Sequence, residues 1–345
     1  MSNTYKISII MPIFNSEENL PRTINSIINQ TIGFKKLELI LIDDKSTDNT
    51  RNVIENYANQ YNNIIPIYLN KNSGHPGIVR NVGLTKATSD YIMFIDSDDE
   101  YDENLCKILY DTIINEKCDL VGCNHIKIDN ITKSYTKIDG DDEKIYFNPK
   151  NSLYYTDMYA WNKIFKKSII DNNNIQFITK HIGEDTIFCL EYILNSEAIV
   201  HLNNYYGYTY YNIGDSFSTE NMKWIINVIE HDYDIFNILK EHLMDIDIDK
   251  FFQGKINYLI YCLISLKENE WKTMSYLINK TYILQKDIKY TGKYENNIIY
   301  KTINKFIISN HLTLTTLIVF ILNKIHRNKF ILRYYRKLIL KDNIK

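Results

Sequence analysis

The chain has 345 residues, 45% hydrophobic and 24% charged, enough to bury the core of one large domain or two ordinary ones. A net charge of -2 and a pI near 6.5 give no overall attraction to a polyanion, so nucleic acid is excluded as an expected partner. Five scattered cysteines, odd in number and without a CxxC pair, rule against a cysteine zinc site and read as reduced, buried thiols of a cytoplasmic protein.

The first fifteen residues, MSNTYKISIIMPIFN, have too short an apolar run and too early a proline, Pro12, for a signal peptide or a membrane span. Three apolar runs, ISIIMPIF (7 to 14), LELILID (37 to 43) and YIMFID (91 to 96), are bounded by polar or turn residues and read as buried parallel strands. Between them, 17 to 30 and 48 to 61 carry apolar residues at helical spacing, the second with Thr47 or Asp48 as a candidate cap. Strand and helix alternate, which predicts an α/β fold with a mostly parallel, Rossmann-like sheet flanked by helices. From about residue 216, WIINVIEHDYDIFNILKEHL and KINYLIYCLISL predict a helical C-terminal region. The expected division is therefore 1–215 and 216–345.

Ligands of such sheets bind outside the carboxyl ends of the strands. Three polar clusters fall there: Phe14 and Asn15, Asp43 and Asp44, and Asp96 to Asp99. The last is the most pointed, because a greasy strand runs directly into Asp96, Asp98, Asp99 and Glu100. Carboxylates this close raise each other's pKa unless water or a cation offsets the repulsion. Asp96 and Asp98, two apart in an extended segment, face the same side. Their oxygens suit Mg²⁺ or Mn²⁺, with further ligands drawn from water and a substrate diphosphate.

ISIIMPIFNSEENL, LILIDDKSTDNT, GIVRNVGL, YIMFIDSDDEY and GEDTIF resemble, in order, the successive motifs of the family 2 glycosyltransferases over roughly residues 7 to 215. The resemblance implies a GT-A fold and an inverting transfer of sugar from a nucleotide donor, expected to be a uridine diphosphate sugar. It places Pro12, Phe14 and Asn15 against the nucleotide and makes Asp44 the acceptor for uracil N3–H. Asp98 becomes a metal ligand, with Asp96 near the ribose or the metal's waters. Asp185 becomes the general base, and Glu184 a neighbour that positions groups. Arg80 has two readings, contact with phosphate or bracing of the acidic turn; Val79 replaces the family's usual alanine. Trp161, in AWNKIFKKSII, either stacks on the acceptor sugar or belongs to the core. The tyrosines of NNYYGYTYYN and the loop GDSFST match a strand and a loop that closes over the donor.

The final stretch, 324 to 345, carries eight Lys and Arg against Asp342, interleaved with apolar residues, and follows the short apolar run LTLTTLIVFIL. Residues 312–345 are thus a candidate peripheral contact with the inner face of the cell membrane, toward a lipid-linked or saccharide acceptor. A packed terminal helix with a solvated basic face is the other reading. Two further functions fit parts of the sequence: an Mg²⁺-dependent phosphotransferase with an aspartyl nucleophile in Asp96-Ser97-Asp98, and a phosphate-receiver module built on Asp43-Asp44.

Overall fold

In the computed structural model, the described residues are 5–327 apart from 130–131, 138–140, 149–157, 181–182, 213–221, 242–246, 267–269, 294 and 296. The chain forms two compact units, Met1–Gly214 and Asp215–Lys345.

The first unit opens with β1 (Ile7–Ile13), α1 (Leu20–Ile28), β2 (Leu37–Asp43), α2 (Thr50–Gln60), β3 (Ile64–Tyr68), α3 (Pro76–Lys86) and β4 (Tyr91–Phe94). Their strands lie in the order β3-β2-β1-β4 and all pair in parallel. β1 and β2 are buried almost throughout, which is why both read as continuous apolar runs rather than alternating ones. Pro12 is tolerated in β1 for a positional reason. Ile10 accepts from the Ile95 amide on the β4 side, so the N–H that Pro12 lacks also points that way, beyond the last β1–β4 pair, Ile10 with Phe94. α3, the segment GIVRNVG, lies directly on this sheet: a Cβ on Gly83 would meet Ile10 Cγ2 at 2.4 Å, so only glycine allows the approach.

Then come β5 (Glu100–Tyr101), α4 (Leu105–Asn115), β6 (Leu120–Asp129), β7 (Lys133–Thr136), β8 (Lys144–Phe147), β9 (Lys163–Lys166), α5 (Lys167–Asn172), α6 (Glu184–Leu194) and β10 (Ile199–Asn212). β9 inserts between β4 and β6 and is antiparallel to both, so the sheet continues β4-β9-β6-β10-β5 and is mixed. Short β9, KIFK, lies within a segment whose charged ends mask its strand character. The parallel half carries the three strand ends picked out by the sequence; the mixed half brings β10 and α6 to the same end.

The second unit is helical: α7 (Met222–Glu241), α8 (Ile248–Ser265), α9 (Trp271–Asp287), α10 (Ile298–Ile308) and α11 (Leu312–Arg327). Its core includes Phe252, Leu259, Leu263, Met274, Ile278, Ile303 and Val319. Buried Asn323 donates to the carbonyls of Ile264 and Leu266 at 2.7 and 2.8 Å, satisfying groups that the end of α8 leaves without helical partners. No helix among the described residues is long and apolar enough to cross a membrane.

Candidate active site

Three strand-end loops are bonded into one floor. After β1, Asn15 takes a positive φ of 48°; its amide donates to Ser46 Oγ at 2.9 Å and its Oδ1 accepts from the Thr47 amide at 2.8 Å. Glu17 accepts from the Asn49 amide at 2.7 Å, joining the same two loops. The N-cap of α2 is Asn49 rather than Thr47 or Asp48; Asp48, one residue earlier, accepts from the Thr50 amide at 3.0 Å and closes the turn that leads into the helix. The third loop joins through Ser16 and Ser97, whose hydroxyl oxygens lie 2.7 Å apart, and through Thr23, which donates to the Ser97 carbonyl at 3.0 Å.

Side chains on this floor differ sharply in availability. Phe14 projects with 49% of its surface exposed, whereas Asp43 and Asp44 are buried. Asp43 accepts from the Ser46 amide, closing its own turn. Asp44 accepts from both the amide and the hydroxyl of Ser73, at 2.7 and 2.8 Å, which ties the loop after β3 to the end of β2. Each of its oxygens accepts one hydrogen bond there and retains a lone pair for another donor.

The acidic turn after β4 is split by its surroundings. Asp98 is exposed; partial desolvation and the Asp96 charge raise its pKa, while Arg22 pulls it down. Asp99 is fully buried, accepting from the Tyr208 hydroxyl at 2.6 Å and the Tyr211 amide at 2.8 Å. Its desolvation and the nearby Asp96 push its pKa up to about 8, against the lowering effect of those two hydrogen bonds. Tyr208 also accepts from the Asp96 amide at 3.3 Å, pinning the turn from β10. Arg22 stacks over the Tyr211 ring at 3.9 Å and donates to the Asp98 carbonyl.

Arg80 joins this turn to the start of α6. Its side chain is 5% exposed, and its two terminal nitrogens reach Asp96 Oδ1 at 2.7 Å, Glu184 Oε1 at 2.9 Å and Asp185 Oδ1 at 3.1 Å. Burial alone would favour its neutral form, but the three carboxylates outweigh that and raise its pKa further. Asp185 also accepts from the Ala160 amide at 3.4 Å. Burial lifts its pKa to about 6, against the lowering effect of Arg80 and with Glu184 and Asp96 adding to the rise. Gly183 precedes the pair at φ 85°, a left-handed turn that starts the helix. One guanidinium therefore connects residues 96, 184 and 185.

Trp161 is 5% exposed and presents no open face to a sugar. Its ring stacks on Tyr208 at 4.1 Å and on Tyr159 at 4.7 Å, with His125 edge-on at 4.8 Å. The exposed ring of this column is Tyr159, 47% exposed. Lys163 beneath it is buried and donates to the Tyr159 carbonyl at 2.8 Å. Sequence reasoning missed Arg22, Ser73 and Tyr159 and left the Asp99–Tyr208 bond unseen. Only the Trp-x-Lys and tyrosine-rich segments hinted at the column; Arg22 and Ser73 sit in ordinary helical and loop patterns. The loop GDSFST lies outside the described residues.

Buried arginine, acidic turn and second acid pair follow one another along the chain, and the profile of a known family, glycosyl transferase family 2, matches residues 8–173, which include the first two. By that match the chain carries a glycosyl transferase family 2 segment. The chain is 35% identical over 222 residues to the poly(ribitol-phosphate) beta-N-acetylglucosaminyltransferase TarP of Staphylococcus aureus, covering 63% of this chain and 65% of TarP. It is 32% identical over 203 residues to the poly(ribitol-phosphate) beta-glucosyltransferase of Bacillus spizizenii, covering 56% of this chain and 30% of that one. The matched region thus spans less than two thirds of either relative's length. The S. aureus TarS 1–349 structure in complex with UDP-GlcNAc superposes with a TM-score of 0.69 at 19% identity, covering 91% of this chain and 90% of that one. This likeness establishes the GT-A fold with its helical C-terminal region. A more distant solved structure, the Pyrobaculum calidifontis mannosyltransferase PcManGT in complex with GDP-Man and Mn²⁺, superposes with a TM-score of 0.50 at 13% identity, covering 94% of this chain and 88% of that one.

Proposed function

We propose that this chain is a family 2 glycosyltransferase that moves a sugar from a uridine diphosphate donor to a hydroxyl of a cell-surface polysaccharide or its lipid-linked precursor, with inversion. The observation that carries this reading is the Arg80 bridge, which brings a diphosphate-side carboxylate, Asp96, and a candidate base, Asp185, onto one guanidinium. The names of the relatives support a UDP-sugar and a polyol-phosphate acceptor. The catalytic reading rests on residues 1–215, with 216–345 as a separate helical region.

In this reading, Phe14 and Asn15 border the base and ribose, and the remaining lone pairs of Asp44 accept uracil N3–H. Asp185 takes the proton of the acceptor hydroxyl as its oxygen attacks the anomeric carbon. The bond from that carbon to the diphosphate oxygen breaks with its electron pair, and the sugar inverts. Glu184 and Arg80 hold Asp185 in place, and Tyr159, rather than Trp161, offers the open ring to a sugar face.

The acidic turn suits a divalent cation: exposed Asp98 has no Lys or Arg within ion-pair distance among the described residues, and Asp96 keeps one carboxylate oxygen free of Arg80. Asp98 and Asp96 would hold Mn²⁺ or Mg²⁺, which would supply Lewis-acid neutralisation of charge on a leaving diphosphate. Replacing Asp98 by Asn should leave the fold intact and weaken Mn²⁺-supported UDP binding by tenfold or more, roughly the 1.5–3 kcal/mol of a charge-assisted contact. Titration calorimetry checks this; unchanged affinity with Mn²⁺ present rules the metal role of Asp98 out. A thermal-shift panel of nucleotide sugars with Mn²⁺ tests the donor class, since only a ligand that binds the native state stabilises it. No shift with any UDP-sugar would count against the transferase reading.

We also place the enzyme peripherally on the cytoplasmic face of a membrane. Leu314, Leu317 and Ile321 are exposed at helical spacing on α11, and eight Lys and Arg follow within 324–345, a segment outside the described residues from 328. Full-length protein should co-sediment with phosphatidylglycerol vesicles at low salt and detach at high salt, because screening weakens the cationic share of such binding. Retention in the supernatant at low salt overturns the placement.

A further inference from the structure

The loop at 291–293 and helix α10 flank a half-open cavity of about 320 Å³ in the helical unit, lined among others by Thr291, Lys293, Asn304, Ser309 and the exposed Lys301 and Lys305. Lys301 and Lys305 are one helical turn apart, so their ammonium groups project from the same face. Lys293 is paired with Asp247 at 3.0 Å, but Lys301 and Lys305 have no carboxylate within ion-pair distance among the described residues. Asn304 adds a second kind of observation. It is 2% exposed, and its Oδ1 accepts from Gln285 Nε2 at 2.9 Å. Its Nδ2 and the Oε1 of the same Gln285 have no partner among the described residues, so this buried amide pair is half satisfied. The two ammonium groups and the hydroxyls of Thr291 and Ser309 are donors that serve an oxyanion.

We propose that this cavity binds a phosphodiester group of an anionic acceptor chain. Ile308 is the single aliphatic side chain of the lining, so the cavity has no slot for an acyl chain, which favours a polyol-phosphate strand over a lipid headgroup. Naming the acceptor rests on the transferase reading; the binding of phosphate by the helical unit does not.

The test is calorimetry on the full chain with inorganic phosphate and a glycerol-phosphate oligomer, with UDP and Mn²⁺ as a separate control. The Lys301→Ala, Lys305→Ala double variant should bind the oligomer about a hundredfold more weakly, roughly tenfold per lysine, with a flatter salt dependence. Arginines at both positions should preserve binding, and UDP affinity should be unchanged in every variant. Equal oligomer affinity in wild type and the alanine variant overturns the proposal. So does a loss seen only with phosphatidylglycerol vesicles, which would make this face a membrane surface. Failure of UDP binding in the wild type would instead strike the transferase reading and leave this one standing.

Discussion

Asp185→Asn leaves donor affinity near the wild-type value and lowers turnover by roughly 10²–10⁴, the loss expected when a positioned general base is removed. The side chains are nearly the same shape, so the Ala160 contact and the start of α6 survive while the proton acceptor is gone. A pH profile gives an independent reading. With its pKa pushed up to about 6, Asp185 must lose its proton to serve as a base, so wild-type kcat/KM falls as pH drops through about 6. The residual activity of the Asn variant should lack that acidic limb. If donor affinity falls as far as turnover, Asp185 binds substrate and another group takes the proton.

Arg80→Ala destabilises the first unit by about 3 kcal/mol, near the lower end of the range for breaking a buried ion pair, because Asp96 is 31% exposed and partly screened. The deletion leaves three carboxylates facing one another without a counter-charge. The loss should depend on pH, and its sign follows from Asp185. A carboxyl whose pKa in the folded protein lies above its ordinary 3.8 contributes stability that is complete below about 3.8 and is lost as pH rises through about 6. Removing Arg80 raises that pKa further, so the variant should be closest to wild type at pH 5 and farthest from it at pH 8. Urea unfolding at both values measures the difference. A variant that unfolds at the wild-type urea concentration at pH 8 would show that the carboxylates do not depend on Arg80. Arg80→Lys should recover part of the stability and less of the activity, since an ammonium lacks the planar fork that reaches Asp96 and Glu184 together.

The parallel strands, the acidic clusters at their ends and the change to helices near residue 216 were legible because each is a local signal. Apolar runs as long as a strand, carboxylates two residues apart and apolar residues at helical spacing all lie within a few neighbours of one another. The family motifs extended that reading to Asp44, Arg80 and Asp185. β9 escaped it, since KIFK is short and lysine-flanked and becomes a strand only through its antiparallel neighbours β4 and β6. The segment GIVRNVG reads only as a motif in the sequence and is a helix whose Gly83 lies against Ile10.

What the chain alone determined was therefore which residues carry charge and where the strands end. Which carboxylates share a partner was decided in three dimensions. Asp96, Asp98 and Asp99 are nearly identical in sequence, yet Arg80 grips the first, solvent reaches the second and Tyr208 buries the third. Arg80 and Glu184 are 104 residues apart, and no local pattern encodes that contact. Trp161 shows the same division, for its type permits either a sugar platform or a core residue, and packing against Tyr208 and Tyr159 makes it the latter. The physical reason is that burial and pairing set a charged or aromatic group's energy, and both depend on neighbours brought together only when the sheet is assembled.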